Sequence, residues 1–135
     1  MSDRCNRSEG EKTILIIEDS ATQALHLQAI LENVGLRVLW AQAGLVGLSI
    51  AAQEQPDLIV LDVQLPDMNG FQICQHLKGQ SNTRQIPIIM LTRHDDSEAV
   101  VLGLQVGVTD YIPKDAFADA VLIETLRQMG LVSTD

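Results

Sequence analysis

Cysteine is scarce in this sequence: Cys5 lies in a polar stretch and Cys74 in an apolar one, too few and too far apart for a disulfide framework or a thiolate metal cluster. Both are read as free thiols. Basic residues are also few, and nine Lys and Arg against eighteen Asp and Glu leave a net charge of -9. They are scattered rather than clustered, which argues against direct nucleic-acid binding and makes a protein the expected partner, although an acidic surplus also serves simply to keep a small protein soluble. No apolar run approaches the ~18 residues that a membrane span requires. No basic segment followed by an apolar stretch marks a secretory signal, so the expected location is the cytoplasm and Asn6-Arg7-Ser8 is a chance glycosylation pattern. Internal repeats and low-complexity tracts are absent too, which excludes a solenoid.

The 135 residues suffice for one domain with a real core. Residues 1–12 hold almost nothing apolar and cannot repay the entropy of ordering, so they read as a flexible tail before a folded domain over 13–131. Short β-branched or leucine-rich runs then alternate with longer segments of helical period, five pairs in all, the pattern of an α/β fold with a parallel sheet between helices. The expected strands are 13–17, 37–41, 58–61, 88–91 and a short one around Tyr111 and Ile112. Three are continuously apolar, as strands covered on both faces must be. The expected helices are one that begins after a Ser20/Gln23 capping box and stops at Gly35, then 44–53, 71–78, 97–106 and 116–129. Asn69-Gly70 reads as a turn. A doubly wound (βα)5 sheet leaves a crevice at the carboxyl ends of its strands, where function is expected.

Those strand ends carry Glu18 and Asp19, Asp62, Thr92 and Lys114. Any one Asp after a strand is usually a solvated turn former, but three converging carboxylates repel one another unless something positive sits among them. A divalent cation resolves the conflict. Oxygen donors without His or Cys favour a hard ion, Mg²⁺ with Mn²⁺ able to replace it. Lys114 and the Thr92 hydroxyl can neutralise an anion beside that ion, a phosphoryl group fits, and Asp62 is the natural nucleophile.

The segments Ile-Ile-Glu18-Asp19-Ser, Val-Leu-Asp62-Val-Gln-Leu-Pro66-Asp-Met-Asn-Gly70, Met-Leu-Thr92 and Asp110-Tyr111-Ile-Pro-Lys114 together resemble the receiver domains of bacterial two-component signalling, across nearly all of 13–129. The resemblance implies a flavodoxin-like strand order 2-1-3-4-5. It implies that Asp62 accepts phosphate from a histidine kinase or phosphotransfer protein, with self-catalysed transfer and autodephosphorylation but no enzymatic turnover of other substrates. Asp19, Asp62 and the backbone carbonyl of Gln64 would hold the metal, Glu18 would act through water, and Lys114 would hold a phosphoryl oxygen. Thr92 and Tyr111 would form the switch that alters the surface of the fourth helix, fifth strand and fifth helix for a downstream protein. Tyr111 also fits an ordinary strand aromatic that buries its ring. The direct reading is a stand-alone receiver, monomeric or weakly dimeric.

Two positions depart from the family's pattern. Asp115 stands where proline is usual and reads as the N-cap of the fifth helix. Arg93 stands where a small residue is usual, either at the rim of the phosphoryl pocket as a shield against water or turned outward to Asp95 or Asp96; His94 is given no role. The run 99–104 is apolar nearly all round, which suggests a protein-binding face unless Val100 or Val101 tucks under a neighbouring helix. Three other readings compete. A flavodoxin-like cofactor binder would be repelled by Glu18-Asp19 after strand one, an aspartyl-phosphate phosphatase would carry its nucleophile after the first strand, and a receiver reduced to an interaction module would lack site residues that are present here.

Overall fold

A computed structural model describes residues 11–63, 65–92 and 107–132. Most of the expected tail, Gln64, Arg93, His94 and the expected helix over 97–106 with its apolar face therefore lie outside the described residues. The elements are β1 (Thr13–Ile17), α1 (Ala21–Asn33), β2 (Arg37–Ala41), α2 (Gly44–Glu54), β3 (Leu58–Asp62), α3 (Gly70–Gly79), β4 (Ile88–Thr92), β5 (Asp110–Pro113) and α4 (Ala118–Gln128), the last being the helix expected as fifth.

The five strands form one parallel sheet in the order β2-β1-β3-β4-β5. Alternation along each strand divides the core in two. Ile14, Ile16, Leu58, Val60 and Ile89 point to one face, where Leu27 and Leu31 of α1 and Leu122 and Leu126 of α4 cover them. Leu15, Ile17, Ile59, Leu61, Ile88 and Met90 point to the other, beneath Ala51 of α2 and Ile73, Cys74 and Leu77 of α3. β1, β3 and β4 are apolar at both parities because both faces are covered. Burial also pushes the Cys74 thiol up from its ordinary value.

Register aligns the strand ends. Ile17 pairs with both Ala41 and Leu61, Leu61 with Met90, and Met90 with Tyr111. One residue further along, Glu18 leaves β1 while Asp62 ends β3 beside Leu91. The order turns back at β1 and β3, so the crevice opens between Glu18 and Asp62.

Helix ends follow local chemistry, with one displacement. α1 closes in a Schellman arrangement: Leu36 N donates to Leu31 O at 3.2 Å, Gly35 N donates to Glu32 O at 3.0 Å, and Gly35 takes φ +90°. Gly130, with φ +81°, repeats it after α4, where Leu131 N donates to Leu126 O at 3.0 Å. The expected start of the last helix at Ala116 is corrected to Ala118, with Phe117 at the cap position and no side-chain cap bond from it. The expected N-cap at Asp115 is corrected with it: its Oδ1 accepts from Phe117 N at 2.8 Å, two residues on and ahead of the helix, which closes a turn and does not cap the helix. Its backbone oxygen also accepts from Ala118 N at 3.2 Å, so a separate turn precedes the regular helix.

At the opposite edge, the buried Thr13 amide donates to Asp57 Oδ2 at 2.8 Å while Asp57 N donates to Thr13 O at 2.8 Å. This reciprocal pair sets the register of β1 against β3. Asp57→Ala is expected to destabilise the fold by about 1–3 kcal/mol, the cost of taking the acceptor from a buried amide. Asp57→Asn keeps an oxygen there and should retain most of the stability; urea midpoints of the two variants check this.

Candidate functional site

Glu18 is the most constrained residue of the crevice. Its backbone is pinned to β2, its N donating to Ala41 O at 3.0 Å and its O accepting from Trp40 Nε1 at 2.7 Å. Its side chain, 3% exposed, accepts from Ser20 N at 3.1 Å and from Lys114 Nζ at 3.0 Å. Burial raises the Glu18 carboxyl above its ordinary 4.5, Asp62 adds to that, and the Lys114 and Ser20 bonds pull it part of the way back.

Glu18, Asp19 and Asp62 each offer a carboxylate oxygen, and these lie within 4.8 Å of one another. Asp19 is exposed and Asp62 half-buried, so the group opens outward from the buried Glu18. Lys114 enters from the end of β5, its N donating to Thr92 O at 2.5 Å. Its Nζ stands 3.0 Å from Glu18 Oε1, 3.3 Å from Asp62 Oδ2 and 2.7 Å from Gln23 Oε1. Thr92 is buried at the end of β4, and Tyr111 is half-buried, packed against the core on the α2 and α3 side. Four of the residues expected at the strand ends, Glu18, Asp19, Asp62 and Lys114, thus share one crevice; Gln64 and Arg93 fall outside the described residues.

The expected Ser20/Gln23 capping box is only half formed. Ser20 Oγ accepts from Gln23 N at 3.3 Å, but the Gln23 side chain is taken by Lys114 and the Ser20 amide by Glu18. Charged partners outcompete the neutral reciprocal bond.

The loop after β3 holds what the sequence reading passed over. Asn69 and Gln72 form a complete capping box at α3, with bonds of 2.9 and 3.0 Å, a pattern present in the sequence behind the Asn69-Gly70 turn signal. Asp67 Oδ1 accepts from Gly44 N at 2.8 Å and Oδ2 from Leu45 N at 3.0 Å, so the start of α2, uncapped by Ala43, is capped from another loop. These two bonds hold the Asp67 carboxyl below its ordinary value. Nothing local to Ala43 signals so distant a cap. Gly70 lies close under Asp62: a Cβ there would meet Asp62 O at 2.8 Å and Val63 Cα at 2.9 Å.

Such a site, an acidic cluster at the carboxyl edge of a 2-1-3-4-5 sheet with a lysine facing it, belongs to a signalling fold, and the comparisons agree. The chain belongs to the response regulator receiver domain family, whose model matches residues 14–127. It is 38% identical over 109 residues to protein PilH of Pseudomonas aeruginosa, covering 81% of this chain and 90% of PilH. It is 39% identical over 126 residues to the transcriptional regulatory protein AfsQ1 of Streptomyces coelicolor, covering 91% of this chain and 55% of that protein. The chain thus spans about half the length of several curated relatives. Among solved structures, the receiver domain of a Pseudomonas aeruginosa sensor histidine kinase superposes with a TM-score of 0.79 at 30% identity, covering 87% of this chain and 96% of that one. That structure carries a magnesium ion coordinated in its active-site cleft.

Because the folded state raises the Glu18 carboxyl above its unfolded value, the folded chain binds more protons between the two values, and stability without metal should rise as pH falls through that window. Glu18→Gln should remove this slope and raise the melting temperature of metal-free protein at pH 7. Thermal melts across pH, run with a chelator, measure both effects.

Proposed function

We propose that this chain is a phosphorylation-dependent switch that accepts a phosphoryl group on Asp62 from a histidine kinase or phosphotransfer protein and controls a downstream protein. The observation that carries the reading is the charge imbalance of the crevice. Three carboxylates lie within 4.8 Å of one another, and the one ammonium facing them touches Glu18 and Asp62. An all-oxygen donor set of this charge fits Mg²⁺, or Mn²⁺ in its place, and a related receiver holds magnesium in its cleft. Asp19 and Asp62 would hold the ion with the Gln64 carbonyl, and Glu18 through water. When bound, it neutralises phosphoryl oxygens during transfer.

The protein's own residues do the rest. An Asp62 oxygen attacks phosphorus, forming an O–P bond as the donor's N–P bond breaks, and the Lys114 ammonium stabilises the phosphoryl oxygens. The Thr92 hydroxyl turns toward the new group and Tyr111 follows, which changes the surface around β5 and α4. Water attacking the same phosphorus later restores Asp62. The product is a modified protein, so the chain is regulatory rather than an enzyme toward other substrates. A cytoplasmic place, a monomer or weak dimer and protein rather than nucleic-acid partners accord with the charge of -9. No helix among the described residues is long and apolar enough to cross a membrane.

Incubation with acetyl phosphate and Mg²⁺ should add one phosphoryl mass to the intact chain. Asp62→Asn should abolish the addition and a chelator should prevent it, whereas undiminished labelling of Asp62→Asn would rule out this nucleophile. Mg²⁺ alone should stabilise the fold by about 2.7 kcal/mol at a hundredfold excess over its Kd. Asp19→Asn should lose most of that gain in thermal melts, and the gain should shrink in acid as protons compete at Glu18.

A further inference from the structure

We propose that Gln23 is a positioning residue for Lys114: its amide oxygen occupies one ammonium hydrogen in the resting chain and yields it to a phosphoryl oxygen at Asp62. The inference rests on the reading of Asp62 as phosphoryl acceptor. A lysine ammonium has three hydrogens to donate. Around Lys114 Nζ stand three acceptors: Gln23 Oε1 at 2.7 Å, Glu18 Oε1 at 3.0 Å and Asp62 Oδ2 at 3.3 Å. The nearest of them is neutral. All three bonds have an ionised donor, but only the carboxylates add an acceptor charge that attracts the ammonium, so an arriving phosphoryl oxygen displaces the amide more readily than either carboxylate.

The surroundings let Gln23 leave and return. Its backbone is fixed in the first turn of α1, where its N donates to Ser20 Oγ at 3.3 Å, so the side chain can move while the helix stays. Beside it lies a cavity of about 320 Å³ whose lining includes Gln23, His26, Leu27, Lys114, Asp115 and Asp119, ample room for one displaced amide. One turn further along α1, His26 Nε2 meets Asp119 Oδ2 of α4 at 2.5 Å. This second contact joins α1 to α4 on the rim of the same cavity. Gln23 also leaves its reciprocal capping bond unmade, its oxygen being on Lys114 instead.

The test uses beryllofluoride, a phosphoryl mimic that adds to a carboxylate, titrated in Mg²⁺ and followed by the fluorescence of Trp40, the chain's single tryptophan, whose indole donates to Glu18 O at 2.7 Å. Gln23→Leu should bind the mimic about tenfold more tightly, the scale of one competing hydrogen bond to an ammonium. Gln23→Asn, too short to reach, should follow Leu. Gln23→Glu, which replaces the yielding partner by a charged one, should weaken binding about tenfold. A loss of helix or fold stability would move all three variants in one direction, so opposite signs for Leu and Glu identify the competition. If Gln23→Leu fails to fold, Asn against Glu carries the same comparison. A wild-type response that no Gln23 variant alters, or weaker binding in both Leu and Asn, overturns the inference alone. No wild-type response to beryllofluoride in saturating Mg²⁺ overturns the phosphoryl reading and the inference with it.

Discussion

Like charge held at close range is the constraint on which the rest of this structure depends. Three carboxylate oxygens lie within 4.8 Å of one another, and like charges at that range repel in any fold. Here one of the three, Glu18, is buried, and burial raises its carboxyl above the ordinary value. Among the described residues the answer is one ammonium, that of Lys114, which bonds Glu18 and faces Asp62. An arrangement with more negative than positive charge among its described residues suits a cation, and the proposed phosphoryl transfer would draw on that suitability.

Holding that unfavourable centre in place takes a rigid frame. β1 and β3 are buried on both faces and carry Glu18 and Asp62 to the same level, so the position of each carboxylate is set by two cores rather than by a loop. The backbone of Glu18 is tied to β2 through Ala41 and Trp40, and that of Lys114 to Thr92 at the end of β4. The described part of the loop after β3 is held by Asp67 on the start of α2 and by the close seat of Gly70 beneath Asp62. The strain of the crowded charges is thereby opposed by packing several residues away.

Much of this was legible in the sequence because local pattern carries it. Continuous apolar runs mark doubly covered strands, Gly35 marks the end of α1, and the polar residues at the strand ends mark the crevice, since parallel strands bring all their carboxyl ends to one edge. What was not legible is partner choice over distance. Gln23 matches a capping box by spacing, yet a lysine 91 residues away claims its side chain. Asp67 sits in a turn by type, yet it caps a helix 22 to 23 residues earlier, because Ala43 has no side-chain oxygen to do so. The start of α4 moved too: the side-chain and backbone oxygens of Asp115 both close a turn, onto Phe117 and Ala118, so the regular helix begins beyond it. Such choices are made among groups that only the tertiary fold brings together.

The central claim is that the carboxylates of Glu18, Asp19 and Asp62 form one cation site whose charge the fold leaves unbalanced. Anomalous diffraction from crystals equilibrated with Mn²⁺ tests it most directly, because the metal's signal locates it without reference to activity. The expected result is one strong peak bonded to Asp19 and Asp62 oxygens beside the Glu18 carboxylate, lost in crystals of Asp19→Asn. A crevice without a peak at saturating Mn²⁺, or a peak that persists in Asp19→Asn, would contradict the account.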